Sequence, residues 1–466
     1  MYTKCLQVAA LRVITITIIF LQIILNFSCN QKDKKDAGDY PLGKPIAGMD
    51  TVKNRWGSWN VLLKPGLDFT ARSTAILAFE NSILTKFREN PGCSNYSINF
   101  QVFYCPCDSL LYNIGATPLD GSGFTVTSPP PPPAPGGSGD IIFASNNNKL
   151  IDIDDSTLYT QNRAPDTSKK IILTNLSGKI NYAADTLAVI DTGIDPVYFS
   201  PEIRNLMISQ TMYNVTSGNI NSFFDDHPGK HGTVVTALAL QALKDKNATL
   251  PQAGGVNPMP KLMVLKALDN KKEGSTFTVS CALSYALQHN ASVINASLGY
   301  YDYQQSVDSV FHHYLELTRN KAIPVFAAAG NFFATKIPAS VCLDAPPANL
   351  LNDSRMFYPA CFSTDFNNLI TVTSLTNTHA SCFYQSYSSD YVTLGVKQKD
   401  PHICCRFSVP FATGEGTSFA TPVACGTAVS YLLNAQSIND FIGSLNKEPS
   451  PPLATKQGQY MNYASR

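Results

Sequence analysis

The chain carries little charge for its length. Only 15% of its 466 residues are Asp, Glu, Lys or Arg, and the 35 basic residues almost cancel the 34 acidic ones. Proteins that bind nucleic acid depend on a basic surface that neutralises phosphates, so we expect no nucleic-acid partner. Hydrophobic residues make up 44% of the chain, which is enough to bury one large domain core and a smaller one.

The apolar run near the N-terminus is too short to cross a bilayer comfortably. Residues 13–25 follow Lys4 and Arg12 and suit the hydrophobic region of a signal peptide. The run leads to Cys29 and then to a charged stretch, which resembles a bacterial lipoprotein signal with the lipid on Cys29. Asn26 departs from this pattern, because an aliphatic residue is usual there. We predict export, either anchored by lipid in the cell envelope (outer membrane or cell surface) or secreted; plain cleavage and an uncleaved anchor are the alternatives.

The sequence shows no clear metal-binding cysteine pattern. Cys105 and Cys107 flank a proline, but neither a histidine nor a second cysteine pair accompanies them, so we predict no metal site. Export would permit disulfides, although the spacing of the 12 cysteines does not fix their connectivity. The pairings that we favour join Cys342 to Cys361, and Cys93 to either Cys105 or Cys107.

Changes in composition divide the chain into segments. A run of prolines followed by glycines marks a linker, because consecutive prolines favour extended polyproline II and glycine-rich stretches are flexible. We predict, in order, a signal peptide (1–28), a tether (29–45), a small α+β module (46–127), the linker (128–140), a connecting segment (141–182) and a large domain (183–466).

The two predicted domains differ in their hydrophobic pattern. In the small module, a helix at 74–88 lies among strands at 59–63, 98–104 and 110–114. In the large domain, apolar strands alternate with helices, which indicates a mainly parallel sheet covered on both faces. Its predicted strands are 186–190, 262–267, 291–295, 324–328 and 369–373, and its predicted helices are 232–243, 278–289 and 307–320. Functional groups in such sheets gather at the carboxyl ends of the strands.

A glycine-rich loop leads into an apolar helix near the C-terminus. Ser418 would lie near the N-terminus of this helix, where backbone N–H groups and the helix dipole favour developing negative charge. Pro422 is expected in the first turn, where its missing N–H costs nothing. A serine in this position needs a base to become a nucleophile.

Suitable partners occur at other strand and helix ends. Asp191 ends the first strand of the large domain and can orient another group. His231 opens a helix, whose dipole disfavours the cationic imidazole and keeps it able to accept a proton. Asn331 follows the strand at 324–328 and places an amide beside a glycine. We predict that these groups meet Ser418 at one edge of the sheet.

Five short motifs occur in a fixed order between residues 184 and 433. They are Asp191-Thr192-Gly193, His231-Gly232-Thr233, Ser297-Leu298-Gly299, Ala328-Ala329-Gly330-Asn331 and Gly416-Thr417-Ser418-Phe419-Ala420-Thr421-Pro422. Their order resembles that of the subtilisin-like serine proteases, or subtilases. The resemblance implies an α/β fold of the subtilisin-like three-layer type with a mainly parallel central sheet. It also implies a serine endopeptidase that hydrolyses peptide bonds through an acyl-enzyme.

The resemblance assigns a role to each motif. Ser418 would be the nucleophile, His231 the general base and Asp191 the residue that holds the imidazole. Asn331 would donate to the oxyanion together with the backbone N–H of Ser418. The segment that pairs with the substrate backbone would be Ser297, Leu298 and Gly299, and a wall of the pocket for the side chain before the scissile bond would be Ala328, Ala329 and Gly330. The chain departs from the family pattern at Thr236-Ala237, Phe419 and Thr421. None of these departures removes a catalytic group.

Further expectations concern ligands and processing. The resemblance implies polypeptide substrates, a monomer and no required cofactor; calcium is common in the family, but no ligand set can be placed. Asp225 and Asp226 are expected in a solvated loop. The small module is either a propeptide that is cut away or a retained accessory domain. The alternatives to peptide hydrolysis are a catalytically silent subtilase fold that binds a ligand at the surface, and ester hydrolysis by the same residues.

Overall fold

The computed structural model describes most of the chain from residue 57 onward. The described ranges are 57–89, 98–105, 107–118, 140–146, 149–151, 165–171, 180–207, 212–215, 223–249, 257–302, 308–331, 356–376, 379–382, 385–398, 405–448 and 455–463. The predicted signal peptide, Cys29, the tether and nearly all of the linker lie outside them. The chain forms two compact units: the smaller ends at Asn147, and the larger runs from Asn148 onward and includes Cys105–Ser109.

The smaller unit is one four-stranded sheet with one helix. Its elements are β1 (Gly57–Leu63), α1 (Phe69–Glu89), β2 (Ile98–Cys105), β3 (Asp108–Pro118) and β4 (Ile141–Asn146), and the strand order is β2-β3-β1-β4. Alternate residues of β1, such as Trp59 and Val61, are buried in a cluster with Phe79 and Ile83 of α1. This follows from a period of two in the strand and of 3.6 in the helix. Residues 141–182 were predicted to form a connecting segment, but the first of them form β4, an edge strand of this sheet.

The larger unit contains the remaining strands and helices. The strands are β5 (Lys149–Ile151), β6 (Ile180–Asp191), β7 (Tyr213–Asn214), β8 (Asn257–Lys266), β9 (Glu273–Ser275), β10 (Val293–Ala296), β11 (Tyr300–Asp302), β12 (Val325–Ala328), β13 (Met356–Tyr358), β14 (Leu369–Leu375), β15 (Leu394–Gln398), β16 (Arg406–Val409), β17 (Ala412–Glu415), β18 (Asn446–Lys447) and β19 (Gln459–Tyr463). The helices are α2 (Pro201–Arg204), α3 (His231–Asn247), α4 (Thr276–Gln288), α5 (Ser309–Asn320), α6 (Thr417–Leu433) and α7 (Ile438–Gly443).

A nine-stranded sheet forms the centre of the larger unit. Its order is β18-β19-β15-β14-β12-β10-β6-β8-β7, and its described pairs are parallel except that of β18 with β19. The non-consecutive order requires helical crossovers, which cover the faces of the sheet. The predicted fold class, α/β with a mainly parallel central sheet, is confirmed.

The central strands are buried on both faces of the sheet, because helices cover each face. Leu187 and Val189 of β6 join a hydrophobic cluster with residues of α3 and α6, whereas Ala188 and Ile190 are buried on the other face. Helices α3 and α6 pack closely: a Cβ on Gly426 would overlap the backbone carbonyl of Ala239. The two helices that begin near the predicted catalytic residues therefore have a fixed spacing.

One disulfide joins cysteines other than those favoured from the sequence. Cys382 is bonded to Cys405, with 6.0 Å between their Cα atoms, a separation typical of disulfides. Cys361 is a free, buried thiol in the 3₁₀ helix Ala360–Thr364, and Cys105 and Cys107 are also free. The partners predicted for them, Cys342 and Cys93, lie outside the described residues, so those two pairings stay predictions. Among the described helices, none combines the length and apolar character needed to cross a membrane.

Candidate active site

Three neighbouring parallel strands deliver predicted site residues to one edge of the central sheet. Asp191 ends β6, Ser297 follows β10, and Asn331 follows β12. Because these strands are adjacent and parallel, their carboxyl ends lie side by side. Helices α3 and α6 begin at His231 and Thr417. The predicted base His231 and the predicted nucleophile Ser418 therefore both lie at helix N-termini.

Asp191 and His231 form a buried hydrogen-bonded pair. The Nδ1 atom of His231 lies 2.8 Å from Oδ1 of Asp191, and each side chain is 1% exposed. The same carboxylate oxygen accepts a hydrogen bond from the backbone N–H of Thr192 at 2.7 Å. A carboxylate on Nδ1 fixes the proton there and leaves Nε2 as the nitrogen that can accept a proton.

A second buried carboxylate, Asp225, joins the end of β6 to the start of α3. Its Oδ1 accepts from the Thr192 hydroxyl at 2.9 Å, and its Oδ2 accepts from the Thr233 backbone N–H at 3.0 Å and the Thr233 hydroxyl at 2.7 Å. The Thr192 hydroxyl oxygen in turn accepts from the N–H of Gly232 at 2.9 Å. Asp225 therefore holds the neighbours of Asp191 and His231 together.

The expectation that Asp225 lies in a solvated loop is wrong. Asp225 is 0% exposed, and this burial, together with the nearby charge of Asp191, raises the pKa of its carboxyl. Asp226 does face solvent, with its side chain 53% exposed, and pairs with Lys266 at 2.7 Å. The sequence gives no local signal that distinguishes these adjacent aspartates, because the partners of Asp225 come from two other motifs.

Ser418 lies in the first turn of α6 and is 3% exposed. The helix begins at Thr417, so Pro422 lies inside it rather than in the first turn as predicted. The sequence-based start was wrong because the residues from Thr417 to Thr421 are already helical. As proline has no N–H, Pro422 cannot donate to the Ser418 carbonyl. Ser418 is nevertheless closer to the positive end of the helix dipole than predicted.

The chain neighbours of Ser418 connect it to Asn331 and His231. Oδ1 of Asn331 accepts from the Thr417 backbone N–H at 3.0 Å and from the Thr417 hydroxyl at 3.2 Å. Phe419, on the other side of Ser418, has its ring centroid 5.1 Å from that of His231. The structure therefore gathers Asp191, His231, Ser418 and Asn331 in one cluster.

Gly416 is required at the start of α6. Its φ of 119° is unfavourable for other residues, and a Cβ there would lie 3.0 Å from Nδ2 of Asn331. The close approach fits the arrangement of the amide, whose oxygen faces Thr417. The Nδ2 end of Asn331 is thus the part of the side chain that can act as a donor.

The two predicted substrate-binding segments pack against the same aromatic residue, which no sequence pattern indicated. Ser297, Leu298 and Gly299 are buried or closely packed, as are Ala328, Ala329 and Gly330. A Cβ on either Gly299 or Gly330 would overlap the ring of Phe357. Phe357 in β13 therefore sets the spacing between the two segments, and no motif in the sequence indicated it.

No metal position emerges near this cluster. Across the described ranges, no group of three or more His, Cys, Asp or Glu side chains could hold a metal ion. Asp195 caps the 3₁₀ helix Pro196–Tyr198, where its side chain accepts from the Val197 N–H at 3.1 Å. It also pairs with Lys230 at 3.3 Å. Calcium therefore has no assigned ligands.

Comparisons with known proteins identify a family and several relatives of the chain. The model of the subtilase family matches residues 184–438, more than half of the chain. A subtilisin-like protease 1 of Plasmodium falciparum (isolate 3D7) is 27% identical over 272 residues, covering 53% of this chain and 37% of that protein. A thermophilic serine proteinase of Bacillus sp. (strain AK1) is 26% identical over 279 residues, covering 59% of each chain.

A solved structure is also similar to the chain. A cold-adapted subtilisin-like serine proteinase is 19% identical, with a TM-score of 0.43 over 65% of this chain and 96% of that one. The chain spans less than half the length of the Plasmodium relatives that it matches.

Proposed function

The chain belongs to the subtilase family, and we propose that it is a serine endopeptidase whose catalytic triad is Asp191, His231 and Ser418. The observation that carries this proposal is the 2.8 Å contact between Nδ1 of His231 and Asp191 in a buried pair. The ring of His231 lies beside Phe419, the residue that follows Ser418. No other described histidine combines a buried carboxylate partner with a nearby helix-start serine.

Acylation uses the groups at the N-termini of α3 and α6. Nε2 of His231 takes the proton from the Ser418 hydroxyl as Oγ attacks the carbonyl carbon of the peptide bond. The protonated imidazole then donates its proton to the leaving amine, and an acyl-enzyme remains on Ser418. Asp191 stabilises the imidazolium throughout, because its carboxylate accepts a hydrogen bond from the Nδ1–H group.

The negative charge of the tetrahedral intermediate develops beside α6. Nδ2 of Asn331 and the backbone N–H of Ser418 donate to the oxyanion. The positive end of the helix dipole also stabilises its negative charge. Thr417 supports this arrangement, because it occupies the oxygen end of the Asn331 amide. Water then attacks the acyl-enzyme, with His231 again acting as the base.

An extended peptide is the proposed substrate. Its backbone pairs with Ser297, Leu298 and Gly299, and its side chain before the scissile bond lies against Ala328, Ala329 and Gly330. Small residues in this wall leave room for an apolar side chain. Phe357 packs against both segments, since both glycines approach its ring.

Labelling with a serine-directed fluorophosphonate tests the triad. The wild-type protein should be labelled, and Ser418→Ala should lose the label. Ser430→Ala is a matched control, since Ser430 is a buried serine of the same helix, far from its N-terminus. Ser418→Ala or His231→Ala should also lower kcat on a peptide substrate by about 10⁶-fold, the size of loss known for subtilisin, another subtilase.

Two outcomes would contradict the proposal. Equal labelling of wild type and Ser418→Ala would remove Ser418 as the nucleophile. A folded wild-type protein that neither takes the label nor cleaves peptides, but binds a protein or glycan saturably, would support a silent binding module instead.

We further propose export with a lipid on Cys29. The support is the sequence pattern alone, an apolar run that ends before a cysteine and a charged stretch. Mass spectrometry of the mature protein from its own membrane should find Cys29 as the lipid-modified first residue. Cys29→Ala should abolish the lipid and release the protein from the membrane; recovery of an unmodified N-terminus from wild type would overturn this proposal.

A further inference from the structure

Three cysteines meet in the larger unit, outside the candidate active site. Cys105 and Cys107 lie around the connection between β2 and β3, and Cys281 lies in α4. The Sγ atoms of Cys105 and Cys107 are 3.0 Å apart, and the Cys107 thiol donates to the backbone carbonyl of Cys281 at 3.2 Å. The Cys281 thiol is within hydrogen-bonding reach of both. All three are free thiols.

Hydrogen bonds to two helices fix the position of this cluster. The side-chain amide of Gln288 donates to the backbone carbonyl of Cys107 at 2.7 Å. The carboxylate of Asp108 accepts from the Tyr314 hydroxyl at 2.7 Å and from the Ser284 hydroxyl at 3.2 Å. The cysteines are therefore held together by contacts that do not involve their own sulfur atoms.

The three thiols differ in exposure and in acidity. Cys105 and Cys281 are 1% and 0% exposed, whereas Cys107 is only half-buried. Burial raises the pKa of both Cys105 and Cys281. Hydrogen bonds from those two thiols lower the pKa of Cys107. Cys107 is thus both the most accessible of the three sulfurs and the one that loses its proton most readily to form the thiolate, which is the nucleophilic form.

We propose that the cluster is a thiol–disulfide exchange site that closes a Cys107–Cys281 disulfide. The Cys107 thiolate attacks one sulfur of an external disulfide, forms a mixed disulfide and releases the other half as a thiolate. The Cys281 sulfur then attacks Cys107 and releases the second half; the proton of Cys281 passes to the released thiolate. Two protein thiols are oxidised, and one external disulfide is reduced to two thiols.

Cys281 rather than Cys105 is the partner of Cys107 in the proposed disulfide. A disulfide between Cys105 and Cys107, two residues apart, would close a very small ring, whereas Cys281 comes from a separate helix. Cys105 therefore remains a thiol beside the new bond.

Oxidised glutathione serves as the external disulfide in the test. The full-length protein is first treated with a mild reductant, exposed to oxidised glutathione, alkylated after unfolding, digested and analysed by mass spectrometry. We expect a cross-linked peptide that joins Cys107 to Cys281. Cys361 and Cys425 are internal controls, because they are buried thiols without a cysteine partner in the described structure, and they should remain fully alkylated.

Variants test the order of the steps. Cys281→Ser should trap one glutathione on Cys107, and Cys107→Ser should lose both the adduct and the cross-link. Cys425→Ser is the matched control and should form the cross-link to the same extent as wild type. Alkylation of Cys107 and Cys281 to the same extent as Cys361, or a cross-link from Cys281 to Cys105 instead, would overturn the proposal; the wild-type measurement decides it even if a variant fails to fold.

Discussion

Helices α3 and α6 begin in similar ways but with opposite chemistry. Each has 17 residues, and each carries a proposed catalytic residue in its first turn. In each, a buried side-chain oxygen accepts a backbone N–H that the helix itself leaves unpaired. At α3 this oxygen belongs to the carboxylate of Asp225, which accepts from Thr233. At α6 it belongs to the neutral amide of Asn331, which accepts from Thr417.

The difference follows the sign of the charge that develops at each helix. His231 at α3 becomes a cation during the proposed reaction, and the carboxylates of Asp191 and Asp225 surround its helix start. In the same proposed reaction, negative charge develops beside Ser418 at α6, where a carboxylate would repel it. An amide supplies the same acceptor through Oδ1 and keeps Nδ2 as a donor. A helix N-terminus can thus stabilise either a positive or a negative charge. Which of the two it favours depends on whether the side chain that accepts from its first N–H groups is a carboxylate or an amide.

The largest effect should come from neutralising the carboxylate at α3. Asp191→Asn should lower kcat by about 10⁴-fold, because an amide can hold the imidazole in the wrong tautomer and cannot balance the imidazolium charge. The measurement is steady-state hydrolysis of a peptide substrate.

Asp226→Asn is the control for Asp191→Asn, as Asp226 is an exposed carboxylate near the same helix start. Asp226→Asn should change kcat by less than about threefold, because exposed ion pairs contribute little. A loss of less than tenfold in Asp191→Asn would mean that α3 does not need this charge.

The next effect should come from the amide at α6. Asn331→Ala should lower kcat by about 10²–10³-fold with little change in KM, the loss known for the matching donor in subtilisin, another subtilase. Asn331→Asp should lose more than Asn331→Ala, since it adds negative charge where negative charge develops. If Asn331→Asp were as active as wild type, the contrast between the two helices would be wrong.

A smaller effect is expected where the two helices touch. Gly426→Ala places a methyl group against the Ala239 carbonyl and should reduce the free energy of unfolding by about 1–3 kcal/mol, as overpacking does. Denaturant titration measures the change. Gly443→Ala in α7, where a Cβ meets nothing within 4 Å, should be close to neutral; equal effects of both changes would show that the helix spacing is not tight.

The smallest effect should be that of Asp225→Asn. Loss of its charge should reduce kcat by about tenfold, equivalent to about 1.4 kcal/mol or roughly one hydrogen bond, while KM stays the same. Unlike Asn331→Asp, this change leaves the groups that are proposed to touch substrate intact. An unchanged kcat would show that α3 is positioned without this carboxylate.

Asp225 also predicts a pH dependence of stability. Its pKa is raised in the folded state, so the folded protein binds the proton more tightly than the unfolded chain does. The wild type should therefore lose stability as pH rises from the ordinary carboxyl pKa, about 3.9, to the raised value. Asp225→Asn should lack this component, so the stability of wild type relative to the variant should be greatest at the acidic end; the opposite trend would contradict the burial argument.

The sequence predicted the parts of the site that lie next to glycines at strand and helix ends. Asp191, Ser297 and Asn331 follow apolar strands whose carboxyl ends could only meet in a parallel sheet. It failed where contacts join distant segments without a periodic pattern. Asp225 and Phe357 act through such contacts, and neither differs locally from an ordinary loop acid or core aromatic.

The same limit explains why the sequence indicated neither β4 nor the disulfide between Cys382 and Cys405. β4 is short and follows a proline- and glycine-rich stretch, so its pattern resembled a connection. Cys382 and Cys405 are brought together by the chain between β14 and β16, and their spacing alone did not distinguish them from other cysteines.

The position of β4 changes what a cut in the proline-rich linker would achieve. The linker separates β3 from β4, yet β1 pairs with both, through registers such as Trp59 with Ile114 and Trp59 with Asn146. Hydrolysis there would leave two polypeptides that share one sheet, as the halves of a split protein do. The upstream fragment would depart only when β4 peels away from β1, so its lifetime would be set by an unfolding rate rather than by the rate of peptide-bond cleavage.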